Sequence, residues 1–461
     1  MDPIRLDDVI EAVQGALVRG AGDGEITGVK IDSRSIEPGD LFFAFCGEKA
    51  DGHDFLEQAF QRGAAAAVIS HPVAGGIKAP LIMVSDPVQA LQELARFYRS
   101  SHRIPVVAVT GSSGKTTTKD LIAAVLGRRF HVLKTEGNYN NELGLPLTLL
   151  RLDRGHQAAV VEMAMRGQGQ ISALCEISRP QVGVLTIIGK SHLELLGSQE
   201  AIAQAKGELL QSLPADGCAV LNGDDPWQIR LAAKAAGDII FYGGGDDCQI
   251  RANQAVLRDL DGVDFILSTP AGRVPCSLPL PGLHNVANAL AAAAVGYRFG
   301  LTPEEIAAGL QSVSPTGMRL EIKPGLFGTK LIDDSYNANP SSAVAALRLL
   351  ASSRGAGKIA VLGEMYELGA EEIDGHREVG RTAAALKIDC LCTVGRLARE
   401  IAAGALSAGL DEERVHCFRE KAEAVSFLKS YIQTGDVVLI KGSRGMRMEE
   451  ITASLLGGDC N

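Results

Sequence analysis

The sequence predicts an α/β protein organised as three consecutive domains. Its length of 461 residues is enough for about three domains. Short apolar segments alternate with amphipathic ones, as a mostly parallel sheet with crossover helices requires. Polar clusters follow several of the predicted strands, where the ligand-binding residues of open α/β sheets collect. We therefore predict a small α/β domain over 1–102, a central domain with a mostly parallel sheet over 103–313 and a doubly wound, Rossmann-like domain over 314–461.

Composition excludes several classes of protein. Hydrophobic residues make up 46% of the chain and charged residues 22%, which is typical of a soluble globular protein with ample core. The net charge of −10 argues against nonspecific nucleic-acid binding, which needs a basic surplus. No stretch approaches the ~20 apolar residues of a membrane span, and the N-terminus lacks the apolar core of a signal peptide. The nine cysteines are scattered, so we expect reduced thiols in the cytoplasm.

The first domain shows no catalytic set. A turn and strand over 38–45, a helix over 56–62 and a strand over 64–69 describe a small α/β unit. Ser33 and Arg34 could hold a phosphate-bearing ligand, although their spacing alone favours a capped surface turn. The segment 101–105 is a plausible linker.

The central domain opens with a strand, a glycine loop and a helix. The apolar run 106–109 leads into Gly111-Ser-Ser-Gly-Lys-Thr116, and an amphipathic run over 120–126 follows. This arrangement directs backbone N–H groups and a helix N-terminus at one point, which favours an anion. Lys115 adds a positive charge for the β/γ-phosphates of a nucleotide, and the Thr116 hydroxyl can bind Mg²⁺. Val109 replaces the first glycine of the common P-loop, which points away from generic P-loop NTPases.

Other polar residues of the central domain follow predicted strands. Glu162 ends the strand 158–161 and His192 follows the strand 182–188, so both are expected to face the same crevice as Lys115. A carboxylate and an imidazole there suggest a metal site, although Mg²⁺ prefers oxygen ligands. Asn285 and Asn288 lie in the first turn of a helix over 286–299, where ordinary N-capping is the alternative. The segment 246–269 is predicted as an inserted β-rich piece.

The third domain alternates strands and helices again. Strands are predicted over 330–333, 359–362, 390–394 and 437–440, and helices over 341–350, 377–386, 397–406 and 421–431. Polar clusters follow three of the strands, at 333–340, 363–369 and 441–444. Any one of them could be a turn, but three at equivalent strand ends suggest a second ligand-facing edge.

Seven segments together closely resemble one family, the Mur ligases of peptidoglycan synthesis. With the N-terminal segments described below, they span all three predicted domains in the family's order. The segments are Thr110-Gly-Ser-Ser-Gly-Lys-Thr-Thr117, Gly137-Asn-Tyr-Asn-Asn141, Glu162, His192 with Ala205-Lys-Gly-Glu208, His284-Asn-Val-Ala-Asn-Ala289, Gly317-Met-Arg-Leu-Glu321 and Asp333-Asp-Ser-Tyr-Asn-Ala-Asn-Pro340. Lys190 and Ser191 depart from the small or acidic residues that are more usual before this histidine.

Further segments resemble those family members that add D-alanyl-D-alanine to UDP-N-acetylmuramoyl-tripeptide. These segments are Asp32-Ser-Arg34 with Gly39-Asp-Leu41, Asp51-Gly-His53, Asn337-Ala-Asn-Pro340 and Gly363-Glu-Met-Tyr-Glu-Leu-Gly369 with His376. The Asp-Asn-Pro-Arg motif, which reads diaminopimelate in the preceding ligase, is absent from the sequence. The resemblance implies an ATP-dependent amide ligase that works through an acyl phosphate and binds these two substrates.

The resemblance also implies roles for individual residues. Catalysis would use Lys115, His192 and Lys206, the last matching a lysine that is carbamylated in several family members. Two Mg²⁺ ions would be bound, with Thr116, Glu162 and His192 as ligands. ATP would contact Gly111, Ser112, Ser113, Gly114, Lys115, Thr116, Thr117, Asn285, Asn288, Arg319 and Asp334.

For the substrates, the resemblance places the UDP end on the first domain and the incoming dipeptide on the third. The substrate-binding candidates are Ser33, Arg34, Asn138, Asn141, Asn337, Asn339, Lys441 and Arg444. We expect a cytoplasmic monomer that neither binds nucleic acid nor inserts into a membrane.

Two other functions remain open from the residues alone. Folylpolyglutamate synthase shares the short P-loop and the chemistry but lacks the N-terminal uridine-binding domain, whereas about a hundred residues precede the P-loop here. A nonenzymatic ATP-sensing switch would not need the second polar edge between 333 and 444. Substrate-dependent phosphate release distinguishes these alternatives.

Overall fold

The computed structural model describes residues 1–47, 50–73, 76–189, 193–314 and 317–457. Within these ranges the strands form four sheets, of two, five, nine and six strands. The prediction of an α/β protein with mostly parallel sheets is confirmed. None of the helices in the described ranges is long and apolar enough to cross a membrane.

The N-terminal part contains the two-stranded and the five-stranded sheets. Its elements are β1 (Ile4–Arg5), α1 (Leu6–Ala12), β2 (Ala16–Arg19), β3 (Glu25–Ile26), β4 (Gly28–Lys30), β5 (Asp40–Phe43), α2 (Leu56–Gln61), β6 (Ala66–Ile69), β7 (Leu81–Met83) and α3 (Pro87–Ser100). The five-stranded sheet has the order β2-β7-β6-β5-β4, with β4 to β7 parallel to one another. The segments that follow β4, β5 and β6 therefore leave the sheet at one edge.

Helix α3 of the N-terminal part forms hydrogen bonds with the part of the chain that follows residue 103. The Tyr98 hydroxyl donates to the carbonyl oxygen of Leu152 at 2.6 Å. The Arg99 guanidinium, which is 5% exposed, donates to the carbonyl oxygens of Ser178 at 3.0 Å and Ile104 at 2.9 Å. Because a buried guanidinium is stable only when its donors are satisfied, these bonds hold the predicted linker in a defined conformation.

The central part is organised around the nine-stranded sheet. Its elements are β8 (Val106–Thr110), α4 (Lys115–Leu126), β9 (Val132–Lys134), α5 (Gly144–Leu149), β10 (Ala158–Glu162), α6 (Gln170–Ser178), β11 (Val182–Leu185), α7 (Leu193–Leu196), α8 (Gln199–Gln211), β12 (Cys218–Asn222), α9 (Pro226–Leu231), β13 (Asp238–Gly243), β14 (Ile250–Leu257), β15 (Val263–Thr269), β16 (Gly272–Leu278), α10 (His284–Arg298) and α11 (Pro303–Gln311). The strand order is β16-β15-β14-β13-β12-β11-β8-β10-β9.

Strand β8 lies inside this sheet and is buried on both faces. Val106 and Ala108 belong to the apolar cluster on one face, and Val107 and Val109 to the cluster on the other. This explains its continuous apolar sequence, since a parallel strand covered on both sides needs no polar alternation. The predicted β-rich insertion forms β14 and β15, which pair antiparallel with each other. Strand β15 also pairs antiparallel with β16, so these strands extend the sheet.

The C-terminal part is doubly wound, as predicted. Its elements are β17 (Glu321–Pro324), β18 (Lys330–Asp334), α12 (Pro340–Ser352), β19 (Lys358–Gly363), α13 (Glu372–Ala385), β20 (Cys390–Val394), α14 (Arg399–Ser407), β21 (Val415–Phe418), α15 (Lys421–Tyr431), β22 (Val437–Lys441) and α16 (Glu449–Leu455). The sheet order is β17-β18-β22-β19-β20-β21, with β17 as an antiparallel edge strand. Helix α13 begins five residues before its predicted start at 377, because Glu372 and Asp374 in its first turn hide the apolar periodicity.

Candidate active site

A cavity of about 410 Å³ lies where the central sheet faces the C-terminal sheet. Its walls come from both parts of the chain. The central part contributes 112–117, Asn140, Glu162, Thr186, His284, Asn285 and Asn288, and the C-terminal part contributes Arg319, Asp334, 336–339, Ser341, Ser342 and Lys441, among others. The two predicted ligand-facing edges therefore meet at one site.

The loop between β8 and α4 has the backbone that an anion-binding loop needs. Gly114 has a φ of 80°, a conformation that L-residues with side chains rarely adopt. A Cβ at Gly114 would also lie 2.6 Å from the side-chain oxygen of Asn288. The N-cap residue immediately before α4 is thus restricted to glycine by backbone conformation and by space, which leaves the N-terminus of α4 open towards the cavity.

Lys115 lies at the base of the cavity without an ion-pair partner in the described part of the chain. Its ammonium donates to the carbonyl oxygen of Gly111 at 2.8 Å. Burial lowers the pKa of Lys115, the Glu162 carboxylate opposes this shift and the nearby Arg319 adds to it. An anion bound in the loop would offset the cost of burying this charge.

Glu162 is the centre of a cluster of oxygen atoms. It is 2% exposed, and its two carboxylate oxygens accept hydrogen bonds from Thr116 Oγ1 at 2.8 Å and from Asn140 Nδ2 at 2.7 Å. Its backbone N–H donates to Thr135 Oγ1 at 3.0 Å. Carboxylate and hydroxyl oxygens are the ligands that Mg²⁺ prefers, so the Thr116 and Glu162 side chains fit that ion chemically.

Asn140 is a site residue that the sequence analysis did not single out. Asn138 and Asn141 are the predicted substrate contacts in the same loop. Asn138 is exposed, and the Asn141 side chain accepts a hydrogen bond from the backbone N–H of Gly144 at 2.9 Å. Neither lines the cavity. No pattern in the sequence distinguishes Asn140 from the neighbouring asparagines, because the choice depends on how the loop turns.

Asn285 and Asn288 form a chain of amides beside the loop. The side-chain nitrogen of Asn285 donates to the Pro281 carbonyl oxygen at 2.7 Å, and that of Asn288 donates to Asn285 Oδ1 at 2.9 Å. The Thr118 hydroxyl donates to Asn288 Oδ1 at 3.2 Å. Both amides are therefore fixed next to the glycine loop rather than serving as N-caps of α10, whose N-cap makes no side-chain hydrogen bond.

The opposite wall of the cavity is built on the ends of β18 and β22. Lys441, only 3% exposed, donates to Asp334 Oδ2 at 2.5 Å and to the Asn337 carbonyl oxygen at 2.9 Å. The Arg319 guanidinium lies 4.1 Å from the ring centroid of Tyr336, in cation–π contact. These contacts orient Arg319 and Asp334 at the wall that faces Lys115.

The other candidates in the C-terminal part have structural partners. Asn339 is the N-cap of α12, and its side chain accepts from the Ser342 backbone N–H at 2.9 Å. The backbone N–H of Arg444 donates to Asn337 Oδ1 at 3.3 Å, while the Arg444 guanidinium pairs with Glu449 at 2.9 Å. Asn337 and Asn339 line the cavity and Arg444 does not.

Ser33 and Arg34 lie apart from the cavity, after β4 in the N-terminal sheet. The Ser33 hydroxyl donates to Gln58 Oε1 at 2.7 Å. Arg34 is exposed and pairs with Asp32 at 2.8 Å, and hydrogen bonds from Arg34 lower the pKa of Asp32 to about 2. The capped turn expected from their spacing is present, and it does not exclude a ligand at this edge.

Lys206 is buried on α8, with 1% of its surface exposed. Its ammonium has no hydrogen bond or ion pair to any residue within the described ranges. Burial lowers its pKa well below the usual value, and the positive charge of Lys115 adds to the shift. Burial therefore shifts the equilibrium of Lys206 towards the free amine. His192 lies outside the described residues.

Comparison with known proteins agrees with the motifs and the fold. Three family models match in order: the Mur ligase family, catalytic domain over 25–99, the Mur ligase middle domain over 109–296 and the Mur ligase, glutamate ligase domain over 318–444. A Bacillus subtilis protein named UDP-N-acetylmuramoyl-tripeptide--D-alanyl-D-alanine ligase is 40% identical over 452 residues, which is 97% of each chain. This chain belongs to the Mur ligase family.

Solved structures extend the agreement to three dimensions. A crystal structure of MurF from Acinetobacter baumannii is 32% identical and superposes with a TM-score of 0.90 over 99% of both chains. The MurF ligase of Thermotoga maritima, solved in complex with ADP, is 28% identical with a TM-score of 0.81, over 93% of this chain and 96% of that one. The predicted family and three-part fold are thus confirmed.

Proposed function

We propose that this protein is an ATP-dependent ligase that joins D-alanyl-D-alanine to UDP-N-acetylmuramoyl-tripeptide, with release of ADP and phosphate. The observation that carries the proposal is that one cavity holds both groups of residues: the glycine loop with Lys115 faces the C-terminal wall with Arg319 and Asp334. The names of the full-length relatives agree with the activity predicted from the sequence.

ATP binds across this cavity. The glycine loop and the N-terminus of α4 hold its phosphates, with Gly111, Ser113 and Gly114 offering backbone N–H groups. Ser112 also borders the phosphates, but its backbone N–H already donates to the Ile187 carbonyl oxygen at 2.8 Å. Lys115 and Arg319 neutralise the phosphoryl group that is transferred. Asn285 would approach the adenine and Asp334 the ribose, while Asn288 contacts ATP beside the glycine loop. The Thermotoga maritima relative, which was solved with ADP, supports nucleotide binding by this fold.

Mg²⁺ is held by Thr116 and Glu162, whose oxygen atoms already lie 2.8 Å apart. A second ion, with His192 among its ligands, remains part of the proposal. Bound Mg²⁺ supplies charge neutralisation for the phosphates. Asn140 keeps the Glu162 carboxylate oriented, since it donates to the second carboxylate oxygen at 2.7 Å.

The reaction activates a carboxylate and then acylates an amine. A free carboxylate is a poor acyl donor, so its oxygen first attacks the γ-phosphorus of ATP, giving an acyl phosphate and ADP. The amine of D-alanyl-D-alanine then attacks the acyl carbon, phosphate leaves and the amine loses a proton. Lys115 and Arg319 stabilise the charge that develops on the transferred phosphoryl group.

Lys206 takes part as a carbamate in this proposal. The neutral amine favoured by burial is the form that attacks carbon dioxide, and the product loses a proton to become an anion. The Lys115 charge, which disfavours a Lys206 ammonium, would stabilise that anion instead. A carbamate would thus replace a buried amine without a partner in the described ranges by an oxygen donor for Mg²⁺.

The substrates extend from the cavity towards the two outer parts of the chain. Ser33 and Arg34 bind the UDP end, and Asn138 and Asn141 lie along the muramoyl peptide. Asn337, Asn339, Lys441 and Arg444 form the side on which the dipeptide enters. We propose the division 1–102, 103–313 and 314–461 for the three domains that carry these functions, in a monomer located in the cytoplasm.

The deciding experiment measures phosphate release from ATP with UDP-N-acetylmuramoyl-tripeptide, with and without D-alanyl-D-alanine. We expect sustained turnover only with both substrates. The product should be a UDP-N-acetylmuramoyl-pentapeptide whose mass exceeds that of the tripeptide substrate by one D-alanyl-D-alanine unit less one water. Equal turnover with a folate and glutamate would support the folylpolyglutamate synthase alternative. Nucleotide binding without substrate-dependent phosphate release would support the ATP-sensing switch.

A further inference from the structure

A second cluster of reactive side chains lies in the N-terminal sheet, at the edge formed by the ends of β5 and β6. These parallel strands are neighbours, so the segments after them meet. Cys46 and Asp51 face each other across a short antiparallel bridge after β5, and His71 follows β6. None of these residues lines the cavity described above.

The potential ligand atoms are close together. Asp51 Oδ1 lies 3.5 Å from Cys46 Sγ, and Asp51 Oδ2 lies 3.0 Å from His71 Nε2. With His53 included, one potential ligand atom from each of the four residues lies within 4.8 Å of the others. Bond lengths of about 2.3 Å to sulfur and about 2.0 Å to nitrogen or oxygen in tetrahedral zinc sites imply ligand separations of roughly 3.3–3.5 Å. The two separations from Asp51, one to each of its carboxylate oxygens, are within a few tenths of an ångström of these values.

The surrounding hydrogen bonds assign different roles to the two histidines. His71 Nδ1 lies 3.3 Å from the Pro72 carbonyl oxygen and His71 Nε2 lies 3.0 Å from Asp51 Oδ2, and both oxygens only accept, so a cation would bind His71 by replacing the proton on Nε2. His53 Nε2 accepts from the Ser70 backbone N–H at 3.0 Å, so its proton is on Nδ1 and is donated to Asp51 Oδ1 at 2.6 Å. His71 can thus become a ligand by loss of one proton, while His53 orients the carboxylate.

The buried position of His53 makes this orientation rigid. Its side chain is 3% exposed, whereas those of Asp51 and His71 are 36% and 45% exposed and open to solvent. A fixed anionic oxygen beside a thiol and an imidazole lone pair is a donor set that suits a thiophilic cation more than Mg²⁺.

We propose that Cys46, Asp51 and His71 bind one thiophilic divalent cation such as Zn²⁺, with His53 positioning Asp51. Three protein ligands leave a fourth position for water or for an external ligand. On binding, the Cys46 thiol loses its proton to solvent, and the thiolate becomes a ligand. The cation links the segments after β5 and β6, at the same edge as Ser33 and Arg34.

The competing occupant of the gap between His71 and Asp51 is a proton. A His71 imidazolium would form a simple ion pair with Asp51, and this carboxylate does raise the pKa of His71. Such an ion pair would leave Cys46 uninvolved. The two arrangements therefore differ in whether the Cys46 sulfur carries a metal bond.

The test is a Co²⁺ and Zn²⁺ titration of the untagged, full-length enzyme after removal of metal by a chelator. We expect one equivalent of Co²⁺ to give a thiolate-to-cobalt absorption band in the near ultraviolet, and Zn²⁺ to displace it. Cys46→Ser should abolish the band, and His71→Asn should weaken binding at least about tenfold.

Cys417→Ser is the matched control, because among the described cysteines only Cys46 and Cys417 are exposed. It should retain the band and the affinity of the unmodified enzyme. The proposal is overturned if the unmodified enzyme gives no thiolate band, or if the band survives in Cys46→Ser. Unchanged affinity in His71→Asn would equally rule out the three-ligand site. Circular dichroism and phosphate release show whether each variant is folded.

Discussion

At the scale of single residues, burial gives the two lysines of the site different chemistry. Lys115 shares its surroundings with Glu162 and Arg319, whereas Lys206 is 1% exposed on α8. Both have lowered pKa values because burial penalises an ammonium. A bound triphosphate would stabilise the charged form of Lys115, whereas Lys206 has no ion-pair partner within the described ranges that would do the same.

Lys115→Ala should abolish turnover without unfolding the protein. The lost ammonium contacts the phosphoryl group in the transition state, and removal of one such donor typically costs roughly 10²- to 10³-fold in rate. The measurement is kcat for phosphate release, with thermal unfolding as the check on folding. Lys429→Ala, at an exposed position of α15, is the control and should leave kcat unchanged. Near-normal activity in Lys115→Ala would remove the loop from the mechanism.

Lys206 should be carbamylated in the active enzyme. Native mass spectrometry of the nucleotide-bound protein is expected to show the added mass, and activity should fall in bicarbonate-free buffer and return on addition of bicarbonate. Because the free amine is the reactive form, carbamylation should persist to lower pH than for an exposed lysine. Lys206→Met, which fits the buried position, should be folded and inactive. Activity that is indifferent to bicarbonate, together with an unmodified mass, would contradict this prediction.

At the scale of secondary-structure elements, the loop between β9 and α5 should support Mg²⁺ binding, because its Asn140 orients the Glu162 carboxylate. Asn140→Ala removes the hydrogen bond to Glu162 Oε1 and should raise the Mg²⁺ concentration needed for half-maximal activity by about tenfold or more. Asn138→Ala is the neighbouring control, since Asn138 is exposed. It should affect the KM for the UDP substrate and leave the Mg²⁺ requirement unchanged. The reverse pattern would exchange the roles assigned to these two residues.

The start of α12 combines a capping function with a predicted substrate contact. Asn339→Ala should lower the free energy of unfolding by about 1 kcal/mol, because it removes the side-chain acceptor for the Ser342 N–H. Asn339→Ser keeps a good N-cap and should retain stability. If Asn339 also contacts the dipeptide, both variants reduce turnover. Denaturant unfolding and kcat/KM measured on the same preparations separate the two effects, and full activity in the serine variant would leave capping as its only role.

Sequence reasoning predicted the elements more fully than the site. The strand ends at Thr110, Glu162 and Asp334 follow from apolar runs that stop at a polar residue. The structure places all three of these residues at the expected sheet edges. Pattern alone could not select Asn140 over Asn138, because the choice depends on how the loop turns. The burial of Lys206 was equally hidden, since it results from packing of α8 against distant elements.

At the scale of the whole molecule, the cavity exists only where the central and C-terminal parts meet. Arg166 lies 3.8 Å from Glu367, and a Cβ at Gly369 would lie 2.9 Å from the Cα of Glu194 in α7. The two parts are thus in close contact beside the cavity. This arrangement can exclude water from an activated acyl group and bring Arg319 and Asp334 to the nucleotide.

The cavity shared by the central and C-terminal parts predicts an order of binding. The carboxylate must be activated before the amine reacts, and the residues that complete the nucleotide site also border the place where the dipeptide enters. We therefore expect ATP and UDP-N-acetylmuramoyl-tripeptide to bind before D-alanyl-D-alanine. Initial-rate kinetics with a dead-end dipeptide analogue tests this order. An analogue that competes with ATP, or productive binding of the dipeptide to free enzyme, would contradict it.

The same order predicts that the acyl phosphate forms in the absence of the dipeptide. Hydroxylamine added to enzyme, ATP and UDP-N-acetylmuramoyl-tripeptide should then trap a hydroxamate, because a small nucleophile can enter where the dipeptide would. Heavy oxygen placed in the substrate carboxylate should appear in the released phosphate, since one of its oxygens becomes the bridging atom and leaves with phosphorus. Lys115→Ala should suppress the hydroxamate, whereas Lys429→Ala should not. If the label never reaches phosphate during productive turnover, the carboxylate is not phosphorylated and the role assigned to Lys115 and Arg319 is wrong.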